Sequence, residues 1–304
     1  MNLAEQMMLD TLKRGREQYG VVAVKAEFEA EGTRPDEFLR LLQMARMAGV
    51  KVALKIGGCE AGADLVASKL YGVDHIIAPM VETPYALTKY IDAKDKTHGV
   101  NEEGVEFLFN LETQTTLENL DAMLPLAKSG VDGVVFGRGD FTLSRGMPRD
   151  AINDDSITTA VCKVATACAQ NDLKLVVGGS VAPAAIPALK QIRAIRLDRF
   201  ETRKVIFDGS AIEADSIEAG IQNAVDFELA WLRNKRDYYQ RISAEDASRI
   251  AMMEKRQQSV RRRRSDLVQS ARAGGGRVVP WAVACRVEIG ARGCAPLGEA
   301  VRAP

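Results

Sequence analysis

From residue 21 onward, short runs rich in β-branched residues alternate with longer helical stretches, and this alternation constrains the fold more than any other feature of the chain. Residues 21–29, 51–56, 75–81, 105–111, 133–136, 174–178, 194–197 and 204–207 read as strands. A helix over residues 3–19 precedes them, helical stretches follow most of them, and a long helical pattern over 212–234 closes the series. Strand and helix in alternation imply parallel pairing through right-handed crossovers, and eight strands favour a closed (β/α)8 TIM barrel over an open sheet. The runs Val21-Val-Ala-Val24 and Val134-Val-Phe136 are apolar on both faces, as strands covered by helices outside and side chains inside must be. The connection between residues 197 and 204 is too short for a helix.

In such a barrel the chemistry sits where the strands end, so the polar residues closing each strand are the ones to collect. The run through Asn110-Leu-Glu-Thr113 stops on Glu112, and the run through Gly137-Arg-Gly-Asp140 stops on Asp140. Adjacent strands lie about 4.8 Å apart, so two carboxylates at neighbouring ends can share one hard divalent cation, Mg2+ or Mn2+, and leave positions open for water or substrate oxygens. The same residues also suit helix caps at βα junctions. Lys25, Glu27 and Glu29 share a face of the first strand, Lys55 ends the second, Glu82 the third, and Arg138 precedes Asp140. Glu27 and Glu29 are candidates for proton transfer, because a carboxylate beside cations can be tuned over several pKa units; a buried Lys25–Glu27 ion pair that merely fills the barrel is the competing reading. Gly57-Gly58, Gly137, Gly139 and Gly178-Gly179 lie among these residues and let backbone approach a small ligand.

Lys+Arg and Asp+Glu each total 41, but ten of the basic and three of the acidic residues fall from Arg256 onward, so the body is acidic by seven charges and the remainder basic by seven. Nothing in the body reads as a nucleic-acid footprint, and Arg261-Arg-Arg-Arg264 reads as solvated charge. No run is apolar enough to span a membrane and no basic-then-apolar leader opens the chain, which points to a cytoplasmic location. The five cysteines lack C-x-x-C spacing. The expected organisation is a barrel over 1–235, a helical extension over 236–258 suited to homo-oligomer contacts and opened by a cap at Ser243, and a low-order tail rich in Arg, Ala and Gly over 259–304.

Lys55-Ile-Gly-Gly-Cys-Glu60, Ala78-Pro-Met-Val-Glu-Thr83, Asn110-Leu-Glu-Thr113 and Gly137-Arg-Gly-Asp-Phe-Thr-Leu-Ser144 resemble the successive strand-end motifs of the HpcH/HpaI aldolase and citrate lyase β-subunit superfamily. The resemblance implies a metal-dependent carbon–carbon lyase acting on a 2-oxo acid through an enolate. It implies metal ligation by Glu112 and Asp140, substrate carboxylate binding by the amides of Gly139 and Asp140, and a place for Asn110 near the metal's waters. Lys55 stands where the family usually carries an arginine, and it or Arg138 is the expected oxyanion stabiliser. The aldolase branch's first-strand histidine has no counterpart, since His75 begins a strand and His98 follows a helix. A citrate lyase β-like or malyl-thioester lyase, a phosphoenolpyruvate-using barrel, and a catalytically silent scaffold barrel stay open as alternatives.

Overall fold

The computed structural model describes residues 1–100 and 104–273, in two units that divide after Asp237. In the first unit α1 (Leu3–Tyr19) leads into β1 (Val21–Glu27), α2 (Pro35–Ala48), β2 (Lys51–Lys55), α3 (Gly62–Tyr71), β3 (His75–Ala78), α4 (Pro84–His98) and β4 (Glu106–Leu111). The second half runs α5 (Gln114–Gly130), β5 (Gly133–Gly137), α6 (Arg138–Ser144), α7 (Asp155–Asn171), β6 (Lys174–Gly178), α8 (Ile186–Arg193), β7 (Arg199–Glu201), β8 (Val205–Asp208) and the start of α9 (Ile217–Ala273). The strands close a barrel in chain order.

The closure departs from a regular eightfold repeat at one place. Strands β1 to β7 pair in parallel, but β8 runs antiparallel to both β7 and β1. Residues 194–197, read from sequence as the seventh strand, instead finish the α8 turn: the amides of Ala194, Ile195 and Arg196 donate back to the carbonyls of Lys190 and Ile192. The strand starts later, at Arg199, and Thr202 turns it straight into β8, its amide bonding the Val205 carbonyl at 2.9 Å. With no crossover helix, the chain can only reverse. Glu228 on α9 pins this hairpin, accepting from the Thr202 hydroxyl at 2.6 Å and the Lys204 amide at 2.7 Å. The partners Phe200 and Phe207 stack with ring centroids 4.9 Å apart.

Period-two alternation sorts the barrel interior into layers. Ala23, Ala53, Ile77, Leu108, Val135, Val176 and Ile206 form a dry middle layer. Two residues earlier on the parallel strands lies a charged floor. There Glu106 holds Lys174 at 2.5 Å and Arg199 at 2.5 Å, with His75 Nδ1 at 3.3 Å. Two residues later lie Lys25, Lys55, Asn110, Gly137, Gly178 and Glu201, the upper layer at the strands' C-terminal ends.

Three aspartates lock the opposite ends in register. Asp74, Asp132 and Asp198 each precede a strand, and each exchanges two hydrogen bonds with the strand before. Their amides donate to the carbonyls of Val52, Phe107 and Leu175, and their carboxylates accept the amides of those same residues at 2.8, 2.7 and 2.8 Å.

Helix α9 is unbroken for 57 residues, without the end near 234 or the cap at Ser243 that the sequence suggested. No glycine or proline occurs between Ile221 and Ala273, so nothing interrupts it. Its first turns bury Ile217, Ile221, Ala224, Phe227 and Trp231, and Asn223 joins α1 through the Thr11 carbonyl and the Arg14 guanidinium. In the second unit, residues 259–273, expected as part of a low-order tail, continue the helix with exposed side chains through 270; the remainder of that expectation, 274–304, lies outside the described residues. No helix among the described residues is long and apolar enough to cross a membrane.

Candidate active site

Glu112 is the most tightly constrained carboxylate at the upper rim. It is 2 % exposed, and its oxygens are fixed from three directions. Oε1 accepts the Met80 amide at 3.0 Å, from the loop after β3. Oε2 accepts the Asn110 amide nitrogen at 2.7 Å and lies 3.4 Å from Lys55 Nζ. A carboxylate as partner fixes the orientation of the Asn110 amide, because only its nitrogen can donate. Met80 adopts φ 51°, a region that a side chain enters at a cost, so the loop holds strain at the point where it meets Glu112.

The helix-cap alternative for Glu112 does not hold, because its neighbour does that work: Thr113 is the N-cap of α5, its hydroxyl oxygen accepting the Thr116 amide at 3.2 Å. Thr83 caps α4 in the same way one unit earlier, at 3.1 Å from the Ala86 amide. Glu82, which precedes Thr83, accepts the Thr113 hydroxyl at 2.6 Å and so ties the two caps together, while Glu60 pairs with Lys89 near the surface at 2.8 Å.

The Asn-Leu-Glu-Thr and Gly-x-x-Asp-x-x-x-Ser segments are joined physically. The Ser144 hydroxyl oxygen accepts the Gln114 amide at 2.9 Å, so the short helix carrying Asp140 is fastened to the turn carrying Glu112. Gly137 makes the close approach possible: a Cβ there would stand 2.9 Å from Glu112 Cβ and 3.1 Å from Oε2. Asp140 is exposed in the first turn of α6 and makes no side-chain cap, and Gly139 precedes it in that turn.

Arg138, expected beside the substrate oxyanion, is turned away and 1 % exposed. Its Nε donates to the Gly178 carbonyl at 3.2 Å, Nη2 to the Gly179 carbonyl at 2.7 Å, and Nη1 to Asn153 Oδ1 at 3.1 Å. Burial lowers its pKa to about 10. It braces the β5–β6 junction, a placement the sequence could not reveal because a residue after a strand end can point either way. Lys55 therefore stands as the cation beside Glu112. Burial drags its ammonium down, but Glu112 and Glu29 outweigh that and hold it above the usual lysine range.

Across the mouth, Glu29 Oε2 lies 3.2 Å from Lys55, and Lys25 sits between Glu27 Oε1 at 3.3 Å and Glu201 Oε1 at 2.5 Å. Burial likewise opposes the Lys25 charge, and Glu201 and Glu27 more than restore it. Glu201 has no counterpart among the residues singled out from the sequence. The available signal was alternation in Arg199-Phe-Glu201, but with charged residues facing inward on a three-residue strand it reads as a loop. Both histidines are structural: His75 belongs to the lower charged layer, and buried His98 contacts Ser68 Oγ at 3.0 Å and the Leu65 carbonyl at 3.2 Å.

Among the described residues no three His, Cys, Asp or Glu side chains gather into a metal cage. The donors at the rim nevertheless fit a hard cation. Mg2+ is commonly held by one or two carboxylates with water and substrate completing its shell, and Glu112 and Asp140 are the carboxylates that would hold it here. Buried Asn110 Oδ1 has no hydrogen-bond partner and is free to accept from a bound water.

The fold and this acid–base rim define an α/β-barrel protein with a polar site at the strands' C-terminal ends. Residues 35–185 match the model of a family described as HpcH/HpaI aldolase/citrate lyase, and the barrel belongs to that family, whose members are generally lyases. Many solved structures share its fold, among them two named for this family. An HpcH/HpaI aldolase from Desulfitobacterium hafniense DCB-2 is similar at 16 % identity and a TM-score of 0.51, over 64 % of this chain and 82 % of that one. An HpcH/HpaI aldolase/citrate lyase family protein from Burkholderia cenocepacia J2315 is similar at 13 % identity and a TM-score of 0.53, over 80 % and 92 %. No curated protein matches the sequence.

Proposed function

We propose that the protein is a metal-dependent carbon–carbon lyase of the aldolase type, acting on a 2-oxo acid through an enolate. The observation that carries the reading is Glu112, desolvated and held by Met80, Asn110 and Lys55, beside the turn that presents Asp140. Glu112 and Asp140 would hold a divalent cation, Mg2+ or Mn2+, which when bound supplies positive charge for a developing enolate oxygen. Lys55 brings a second positive charge to the same rim, where low dielectric strengthens it, in the role for which Arg138 was the other candidate. The amides of Gly139 and Asp140 are assigned to the substrate carboxylate and Asn110 to bound water, and the proton is carried by an acidic side chain of the mouth, for which Glu27 and Glu29 are the candidates visible in the sequence. Small-molecule chemistry suits so polar a mouth. The exposed Leu229 and Leu232 on α9, with Leu3 and Met7 on α1, support self-association, which light scattering would test.

The test is exchange of pyruvate methyl protons with deuterated solvent. The proposal expects exchange with Mg2+ present and its loss on chelation. No exchange with pyruvate, but exchange of an acyl thioester, would transfer the enolate to the citrate lyase type of substrate; no exchange of either would refute the reading.

A further inference from the structure

We infer that Glu201 is the group that exchanges the carbon-bound proton in this site, an assignment that rests on the enolate reading above. The upper rim has no histidine, and its two lysines, Lys25 and Lys55, are ion-paired cations rather than free bases, which leaves the carboxylates. Besides Glu112, three acidic residues among those described pair with Lys25 or Lys55. Glu29 is the most exposed, its side chain 31 % accessible, and its Oε2, buried without a hydrogen-bond partner, is the oxygen 3.2 Å from Lys55; Glu27 is 14 % accessible and 3.3 Å from Lys25. The Glu201 side chain is 5 % accessible.

The two oxygens of Glu201 are unequal. Oε1 is bound by the Lys25 ammonium at 2.5 Å, and Oε2 is buried with no hydrogen-bond partner. A buried, unsatisfied carboxylate oxygen costs free energy unless something completes it, and such groups concentrate where a protein binds or reacts. One oxygen anchored and one buried without a partner is the arrangement of a carboxylate kept for a ligand's proton. The Lys25 anchor is itself secured by Glu27, so the carboxylate is held in place without a protein donor covering its second oxygen.

Its position relative to Glu112 follows from the glycines. Gly137 and Gly178 are register partners on β5 and β6. Glu112 leans over the first; Glu201 leans over the second, where a Cβ would stand 2.9 Å from its Oε1 and 3.0 Å from Cγ. Adjacent strands are about 4.8 Å apart, so the two carboxylates flank neighbouring backbone positions below the turn that carries Asp140. Gly179 extends this arrangement, since a Cβ there would lie 2.6 Å from the Gly139 amide nitrogen. A small oxo acid lodged against Glu112 and the Gly139 turn therefore lies beside Glu201.

The step balances simply. A C–H bond next to the carbonyl breaks and its proton passes to Glu201 Oε2. The bonding pair becomes the enolate C=C bond while the carbonyl π pair moves onto oxygen, near Lys55. The proton on Glu201 exchanges with solvent for a deuteron, and delivery of that deuteron to the enolate carbon forms the C–D bond, restores the carbonyl and returns Glu201 to its carboxylate form.

The experiment measures pyruvate exchange in D2O with the full chain and Mg2+, for wild type, Glu201→Gln, Glu201→Ala and Glu29→Gln. General acid–base catalysis contributes about 10²–10⁴-fold, so Glu201→Gln should lose that much in rate at saturation while keeping the pyruvate concentration dependence of wild type. Formate should restore exchange to Glu201→Ala by occupying the vacated carboxylate position, an effect that a purely structural role would not produce. Wild-type exchange in Glu201→Gln, a loss confined to Glu29→Gln, or failure of formate rescue in a folded Glu201→Ala protein overturns the assignment and leaves the enolate reading intact. A wild-type protein that exchanges nothing overturns both.

Discussion

Adding a single methyl group at Gly137 should damage both the fold and the site. The new Cβ of Gly137→Ala would stand 2.9 Å from Glu112 Cβ and 3.8 Å from its Cα. Carbon atoms pack at about 3.5–4.0 Å, so the Cβ pair must part by about 0.6–1.1 Å. Glu112 cannot relieve this by changing rotamer, since the clashing atom is the root of its side chain; the end of β4 has to move. Overpacking of this kind costs about 1–3 kcal/mol. For a barrel of this size each kcal/mol lowers the melting temperature by about 2–4 °C, so the expected fall is about 2–12 °C. A shift approaching 1 Å in a reacting group costs on the order of 100-fold in rate, and pyruvate exchange should fall accordingly. Gly62→Ala is the control: its Cβ meets nothing within 4 Å at the first residue of α3, and it should be neutral or stabilising by up to about 1 kcal/mol. Thermal melts and exchange rates measured side by side decide the matter. A Gly137→Ala protein that melts and exchanges like wild type would show that Glu112 is not held against β5 as described.

Glu106→Gln should cost about 2–3 kcal/mol by denaturant titration, because it strips Lys174 and Arg199 of a shared, largely buried counter-ion. Burial pushes the Glu106 carboxyl up, but His75, Lys174 and Arg199 outweigh it and hold it well below the usual carboxylate range. Its contribution is therefore fully present above the ordinary unfolded value of about 4.3 and is lost as pH falls toward the folded value. The stability gap between wild type and Glu106→Gln should stay constant near neutrality and close in acid; a gap that widens in acid would refute the assignment. Asp172→Gly, at an exposed α7 C-cap with φ 56°, should gain up to about 1 kcal/mol by removing left-handed strain, checked by melting temperature. Lys55→Met should reduce exchange on the order of 10²–10³-fold, the range for loss of one stabilising donor, and unchanged exchange would remove it from the site.

Legibility in the sequence followed the strength of the periodic signal. The first six strands are long enough, and apolar enough on both faces, to be seen as runs, and the residues ending them could be collected by position alone. Glu112 and Asp140 belong to this group. The seventh strand was misplaced because β7 is three residues long and its inward residues are Arg199 and Glu201, so the apolar pattern is inverted where the barrel carries charge; the eighth, read at 204–207, lies within one residue of β8. The bracing contacts of Arg138 were hidden for a different reason: side-chain direction after a strand end depends on the carbonyls of Gly178 and Gly179, which arrive from another strand. The paired bonds of Asp74, Asp132 and Asp198 were visible only as recurring Val-Asp or Leu-Asp steps whose partners lie one strand back. Continuous α9 was obscured because Ser243 resembles a cap, although no helix breaker adjoins it.

Manganese titration followed by electron paramagnetic resonance bears most directly on the account, comparing wild type with Glu112→Gln combined with Asp140→Asn. Both substitutions preserve shape and remove only charge. The account predicts one bound Mn2+ in wild type and none in the double variant, with both proteins folded. Equal occupancy of the two, or no binding by wild type, would contradict it.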